Sequence, residues 1–189
     1  MRKSFCSLIS FLLFSLLACG AASAHWYVAP TGNDANNGSK RKPLKTIAAA
    51  LQRVNPGDTV FLREGSYGEF VVPTRSGKPG KMITLKSYPG EIAKIDGSDL
   101  YIKGWGNALV QVNNIDYMQF ENLHICHAHD SENNTDPEGI YITGTSGNIT
   151  FRGCKVYDIK NDCPLVDAKG DWRSAHAILV LGTDDNTPI

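Results

Sequence analysis

The sequence predicts an all-β solenoid, a parallel β-helix, from a repeat, an alternation and a regular break in that alternation. Ala108-Leu-Val-Gln-Val112 aligns with Gly139-Ile-Tyr-Ile-Thr143, and Met118-Gln-Phe-Glu-Asn-Leu-His-Ile125 with Ile149-Thr-Phe-Arg-Gly-Cys-Lys-Val156. Both alignments have an offset of 31 residues (139 − 108 and 149 − 118). A third, partial copy, Ala177-Ile-Leu-Val-Leu-Gly182, matches Gly139-Ile-Tyr-Ile-Thr-Gly144 at an offset of 38. A fixed period of this size with strand-type content marks a solenoid, in which each repeat buries its apolar face on the next.

Within the repeat the apolar residues alternate. Met118 and Phe120 point in while Gln119 and Glu121 point out, and Ile149 and Phe151 do the same against Thr150 and Arg152. Alternation stops at Asn122 and Gly153 and then resumes, which suits a bend through a left-handed backbone conformation. Stacked coils are expected to set Phe120 on Phe151, Leu123 on Cys154 and Ile125 on Val156. On the outer surface they set His124 beside Lys155, and Glu121 beside Arg152 as a surface ion pair.

Residues 1–24 read as a signal peptide. Arg2 and Lys3 precede an apolar run from Phe5 to Leu17, and Ala22-Ser-Ala24 fits a cleavage site before His25. An alternative is a lipoprotein leader, Leu16-Leu-Ala-Cys19, with the mature chain anchored through Cys19. Either reading places the protein outside the cytoplasm, in the periplasm or beyond. Residues 25–189 are then one β-helix domain, long enough for a sizeable core. Without Arg2 and Lys3 that domain has 17 basic and 19 acidic residues, a net charge of −2. This balance gives no reason to expect nucleic acid as a partner, nor a membrane unless Cys19 is lipidated.

Cys126, Cys154 and Cys163 remain after the leader, an odd number. Cys154 falls at an inward position, as a small buried hydrophobe. A Cys126–Cys163 bridge is possible in an oxidising compartment, and no paired C-x-x-C spacing suggests structural zinc.

In chain order, His25-Trp-Tyr-Val28 is a first strand, followed by a turn-rich stretch to Ser39 in which Asp34 suits a structural turn better than a metal site. A helix is predicted over Pro43–Val54, where Ile47, Leu51 and Val54 share one face and Asn55-Pro-Gly57 stops it. Such a helix would cap the open end of the core. Asp58–Arg63, Phe70–Val72, Met82–Lys86 and Ala93–Ile95 are further strands, with Glu64–Gly68 a turn between the first two.

Several of these segments carry a resemblance. Tyr27-Val-Ala-Pro-Thr-Gly-Asn-Asp34, Pro43-Leu-Lys-Thr-Ile47, Pro56-Gly-Asp-Thr-Val60, Arg63-Glu-Gly-Ser-Tyr67 and Tyr88-Pro-Gly90 together resemble the N-terminal part of secreted right-handed parallel β-helix proteins. That group is the pectin-lyase-like superfamily, family 9 pectate lyases in particular. The resemblance implies the right hand of the helix and an acidic polysaccharide as substrate. It also implies β-elimination assisted by calcium held by aspartates, with a lysine as base. The alternative function is a non-catalytic carbohydrate-binding or surface β-helix, or an inactive truncated fragment of a longer protein.

Lys155 is the candidate base, and Asp184-Asp185, after the last strand, the candidate calcium ligands, although a solvated turn accounts better for that pair. Trp172 and Arg173, in an insertion expected over Asp158–Ala175, either contact a sugar chain or, in the case of Trp172, plug the loop. His124, His127, His129 and Asp130 are the densest group of transition-metal ligands. They are expected where a strand gives way to a polar loop, with His127 and His129 on one face. The regular repeat reaches only its third coil by Ile189, so this length of chain is expected to lack lyase activity by itself. A truncated chain would also expose the apolar residues from Ile178 to Leu181.

Overall fold

The computed structural model describes residues 23–102, 107–130, 136–162 and 174–182. Twelve strands and one short helix fill these residues, and every strand pairing is parallel. The strands stack in three sheets. The first holds β1 (His25–Val28), β2 (Thr59–Leu62), β4 (Ile83–Ser87), β7 (Asp116–Glu121) and β10 (Gly147–Arg152), in that order. The second runs β3 (Gly65–Tyr67), β5 (Ala93–Asp96), β8 (Leu123–Asp130) and β11 (Lys155–Asn161). The third is β6 (Ala108–Asn113), β9 (Glu138–Thr143) and β12 (His176–Val180). Parallel neighbours that are a full coil apart in sequence define a β-solenoid.

The core consists of columns running through the stack. Leu85, Phe120 and Phe151 are in register, and the two phenyl rings stack 4.6 Å apart at 5°. Ile95, Ile125 and Val156 form a second column. The bends fall where alternation stopped, with Asn122 at φ 53° and Gly153 at φ 62°. Cys154 is half-buried against the core, with its thiol 3.5 Å from the Phe120 carbonyl. Ile178, Val180 and Leu181 are exposed.

Three local expectations change. The helix spans only Ile47–Leu51 (α1), because Asp34 binds the amides of Lys45 and Thr46 and so holds the preceding backbone in a turn. Thr46 is extended and caps the helix by accepting from the Ala49 amide, and the Glu69 carboxylate takes the amides of Ile47 and Ala48. Gly65–Tyr67, expected to be a turn, is strand β3 paired with β5, whereas Phe70–Val72 contributes a single bridge from Val71 to Val110.

The third change is one of register. Ala108 pairs with Glu138 and Val110 with Ile140, an offset of 30 rather than 31 (138 − 108). The bend after β9 absorbs the difference: Asn113 faces Thr143 and Asp116 faces Gly147, so three residues in the upper coil oppose two in the lower. Thr145 donates its amide and hydroxyl to the Asn114 side chain, and Ser146 accepts from the Ile115 amide. On the outer face the expected surface pair of Glu121 with Arg152 is present at 3.9 Å, and Glu121 also takes Lys86 at 2.5 Å.

Candidate functional site on the outer face of the second sheet

Chemistry-bearing side chains collect on the outer face of β5, β8 and β11. Alternation sends Ile95, Ile125 and Val156 inward, and so turns Lys94, His124 and Lys155 outward as neighbours in register on successive coils. Rungs of a sheet lie about 4.8 Å apart, so these three groups form a basic ladder along the solenoid. Burial, together with the nearby charges of Lys155 and Lys94, pushes the His124 pKa down. Lys155 is exposed and, among the described residues, has no carboxylate partner, unlike Lys86 on Glu121 or Lys160 on Asp158.

The next outward column is Asp96, Cys126 and Tyr157, again in register. Beyond it the strands kink: His127 has φ 60° and Asp158 φ 56°, one above the other in β8 and β11. In a regular strand Cys126 and His127 would point to opposite faces. The left-handed residue instead keeps both on the outer face, as it does Tyr157 and Asp158, at about 1–2 kcal/mol per non-glycine residue.

The side chains gathered at the kink form a network. His127 Nδ1 lies 2.9 Å from Asp96 Oδ1, and its Nε2 lies 3.6 Å from Asp158 Oδ2. His129 Nε2 approaches the same Asp158 oxygen at 3.2 Å, while Lys160 holds the other oxygen at 2.5 Å. Burial alone would raise the Asp96 pKa, but hydrogen bonds from Ser98 and His127 outweigh it and hold the carboxyl at about 2. Cys126 is fully buried, a free thiol among the described residues, and its pKa is raised by that burial. The neighbouring Cys126 thiol, with burial, lifts the Tyr157 phenol pKa to about 12, and the Tyr157 hydroxyl lies 3.4 Å from His124 Nδ1. Sγ of Cys126, a carboxylate oxygen of Asp96 and a ring nitrogen of His127 all lie within 4.8 Å of one another.

The expected ligand group therefore comes together only in part. His127 and His129 share the outer face, on a strand that continues to Asp130 rather than giving way to a loop. Asp130 is buried, and His124 belongs to the basic ladder instead. Strand β11 likewise runs on to Asn161, past the expected start of the insertion. Asp96, Cys126 and Asp158 were missed as partners of the histidines. The signal available for them was their spacing, since Cys126 and Tyr157 are 31 residues apart, as are His127 and Asp158. Trp172, Arg173, Cys163, Asp184, Asp185 and Cys19 lie outside the described residues.

The cluster of Asp96, Cys126 and His127, with a single carboxylate, does not fit calcium, which takes six to eight oxygen ligands. The donor cluster found among the described residues is a carboxylate, a thiol and an imidazole, a set suited to zinc or copper.

Two other surfaces escaped sequence reasoning. On the first sheet, Tyr27 stacks on Phe61 at 5.3 Å, Phe61 meets Tyr88 at 5.8 Å, and Lys40 and Arg63 lie over the Tyr88 ring. An open groove of about 650 Å³ runs past Lys81, Thr84, Tyr117, Asn148 and Thr150; among the described residues its one charged lining group is Lys81. In the third sheet, Glu138 is fully buried and paired in register with His176, and neither carboxylate oxygen has a hydrogen-bond partner. Burial, and then the charge of Asp136, push its pKa up to about 7.

Comparison with known proteins agrees with this architecture. The protein is similar to the uncharacterized protein YwoF of Bacillus subtilis, 32% identical over 144 residues, covering 76% of this chain and 31% of that protein. It is also similar to pectate lyase PEL9 of Emericella nidulans, 26% identical over 147 residues, 72% of this chain and 34% of that one. It thus spans about a third of the length of these curated relatives. Among solved structures, the lacto-N-biosidase of family GH136 from Eubacterium ramulus superposes with a TM-score of 0.59 at 19% identity, over 83% of this chain and 33% of that one, a likeness of fold. The family model for the Pel9A-like right-handed β-helix region matches residues 26–184, nearly all of the parallel stack, and the chain belongs to that family.

Proposed function

We propose that this chain is part of an exported, polysaccharide-active β-helix protein that binds an acidic, uronate-containing glycan along the outer face of its second sheet. The basic ladder of Lys94, His124 and Lys155 carries this reading. A chain of carboxylates laid along the solenoid axis meets a cation or an imidazole at each rung, and family membership supports a polysaccharide as the ligand. The mixed donors at Asp96, Cys126 and His127 favour binding as the primary role of the described residues over calcium-assisted elimination.

A second reading is favoured by the position of Lys155, exposed and free of carboxylate partners among the described residues. There its amine accepts the proton next to a uronate carboxylate. The electron pair left behind forms the new carbon–carbon double bond, and the glycosidic oxygen leaves.

Affinity electrophoresis of the 189-residue chain in gels containing polygalacturonate or a neutral glucan tests both readings. Retardation by polygalacturonate alone is expected, reduced at least about threefold in apparent affinity by Lys94→Gln or Lys155→Gln and by rising salt. Equal mobility in both gels would overturn the binding reading. Unsaturated products formed by the parent chain and by Lys94→Gln, but not by Lys155→Gln, would establish elimination at Lys155.

A further inference from the structure

We propose that Asp96, Cys126 and His127 form a binding site for a late first-row divalent metal ion, zinc in the first instance. One ligand atom from each lies within 4.8 Å of the others, and His127 Nδ1 is 2.9 Å from Asp96 Oδ1. Donors around a tetrahedral zinc stand roughly 3.3–3.7 Å apart, given metal–ligand distances of about 2.0–2.3 Å. Side-chain movements of about 1 Å close the cluster around an ion.

Three features point to a ligand here rather than a hydrogen-bonded surface. The left-handed backbone at His127 costs conformational energy, and its effect is to put consecutive residues, Cys126 and His127, on one face. At the bend one strand earlier in the repeat, the chain uses Gly153 above Asn122, residues that take this conformation more easily. Secondly, Cys126 is fully buried in register between Asp96 and Tyr157, with its sulfur within 4.8 Å of an Asp96 oxygen and a His127 nitrogen. A sulfur so placed has polar neighbours, and a thiolate there is compensated by a bound cation.

The third feature is the outer shell. Asp158 Oδ2 faces His127 Nε2 at 3.6 Å, so that when Nδ1 gives its lone pair to the ion, the Nε2 proton has a carboxylate to meet. A carboxylate behind a metal-bound imidazole fixes its tautomer and raises its basicity. Lys160 and His129 hold Asp158 in place. Three protein ligands leave a fourth position to water or an anionic ligand, the pattern of an open site. This inference stands independently of glycan binding.

The test titrates the reduced, metal-stripped 189-residue chain with zinc by calorimetry and with cobalt(II) by absorption spectroscopy. One equivalent of zinc is expected, together with a sulfur-to-cobalt charge-transfer band in the near ultraviolet. That band is lost in Cys126→Ser and retained in Cys154→Ser. His127→Gln and Asp96→Asn each weaken zinc binding at least about tenfold, with circular dichroism confirming the parent fold. If Cys126→Ser does not fold, the latter two variants decide. Absence of the band at saturating cobalt, its survival in Cys126→Ser, or unchanged zinc affinity in folded His127→Gln would each overturn the proposal.

Discussion

Glu138 is fully buried with no hydrogen-bond partner for either oxygen, in register with His176 and near Asp136. Its folded pKa of about 7 stands above the ordinary 4.5, so between those values the folded chain binds more protons than the unfolded one. Stability therefore falls as pH rises through that window, by an amount on the order of 3 kcal/mol for this group. Glu138→Gln should flatten the dependence between pH 5 and 8 and raise the urea midpoint at pH 8. An unchanged slope would show that the carboxyl is solvated. Sequence reasoning began this strand at Gly139 and so left Glu138 outside it. A buried, unpartnered carboxylate has no local signature, because nothing in Pro137-Glu138-Gly139 shows that the register draws position 138 into the stack. Phe120, Phe151 and the bend at Asn122 were legible because alternation and its interruption are local properties.

Elements change where a bend changes length or a loop ties down its neighbour. Asn122 and Gly153 occupy the same left-handed position on successive coils, and a Cβ added to Gly153 would sit 2.4 Å from the Asn122 side-chain oxygen. Gly153→Ala should cost about 1–2 kcal/mol, combining backbone strain with that clash. Asn122→Gly should change stability by no more than about 0.5 kcal/mol, since relief of the left-handed strain offsets the added chain entropy. In the Asn122→Gly background the clash is gone and the strain remains, so Gly153→Ala should cost less there; urea unfolding of the double-mutant cycle separates the two. An identical cost in both backgrounds would assign the whole effect to the backbone. The same logic explains the misplaced register of β6 and β9. The extra residue lies within Gly144–Ser146, and a constant period of 31 hides it. The helix shortened because Asp34 and Glu69 take backbone amides from 12 and 22 residues away, respectively, beyond the reach of a periodicity argument.

On the scale of the whole molecule, each coil touches only the coils above and below, and stability is close to a sum of coil terms and interfaces between neighbours. The candidate site has the same geometry: Asp96, His127 and Asp158 come from three successive coils, about 30 residues apart. The repeat made the stack legible, but the site needed the register of three coils and two left-handed residues, which alternation alone misplaces. A nearest-neighbour stack also predicts graded core positions. Phe120 is fully buried, with Leu85 on one side and the ring of Phe151 on the other. Ile178 in β12 is 51% exposed and pairs with Ile140 on one side among the described residues. Phe120→Ala should therefore cost about 3–5 kcal/mol, through lost burial plus a cavity between two coils. Ile178→Ala should cost less than about 1 kcal/mol. Urea unfolding of the two variants at one protein concentration measures both. A loss at Ile178 equal to that at Phe120 would mean that the β12 end is covered in solution, and that the stack does not end at the neighbours seen within one chain.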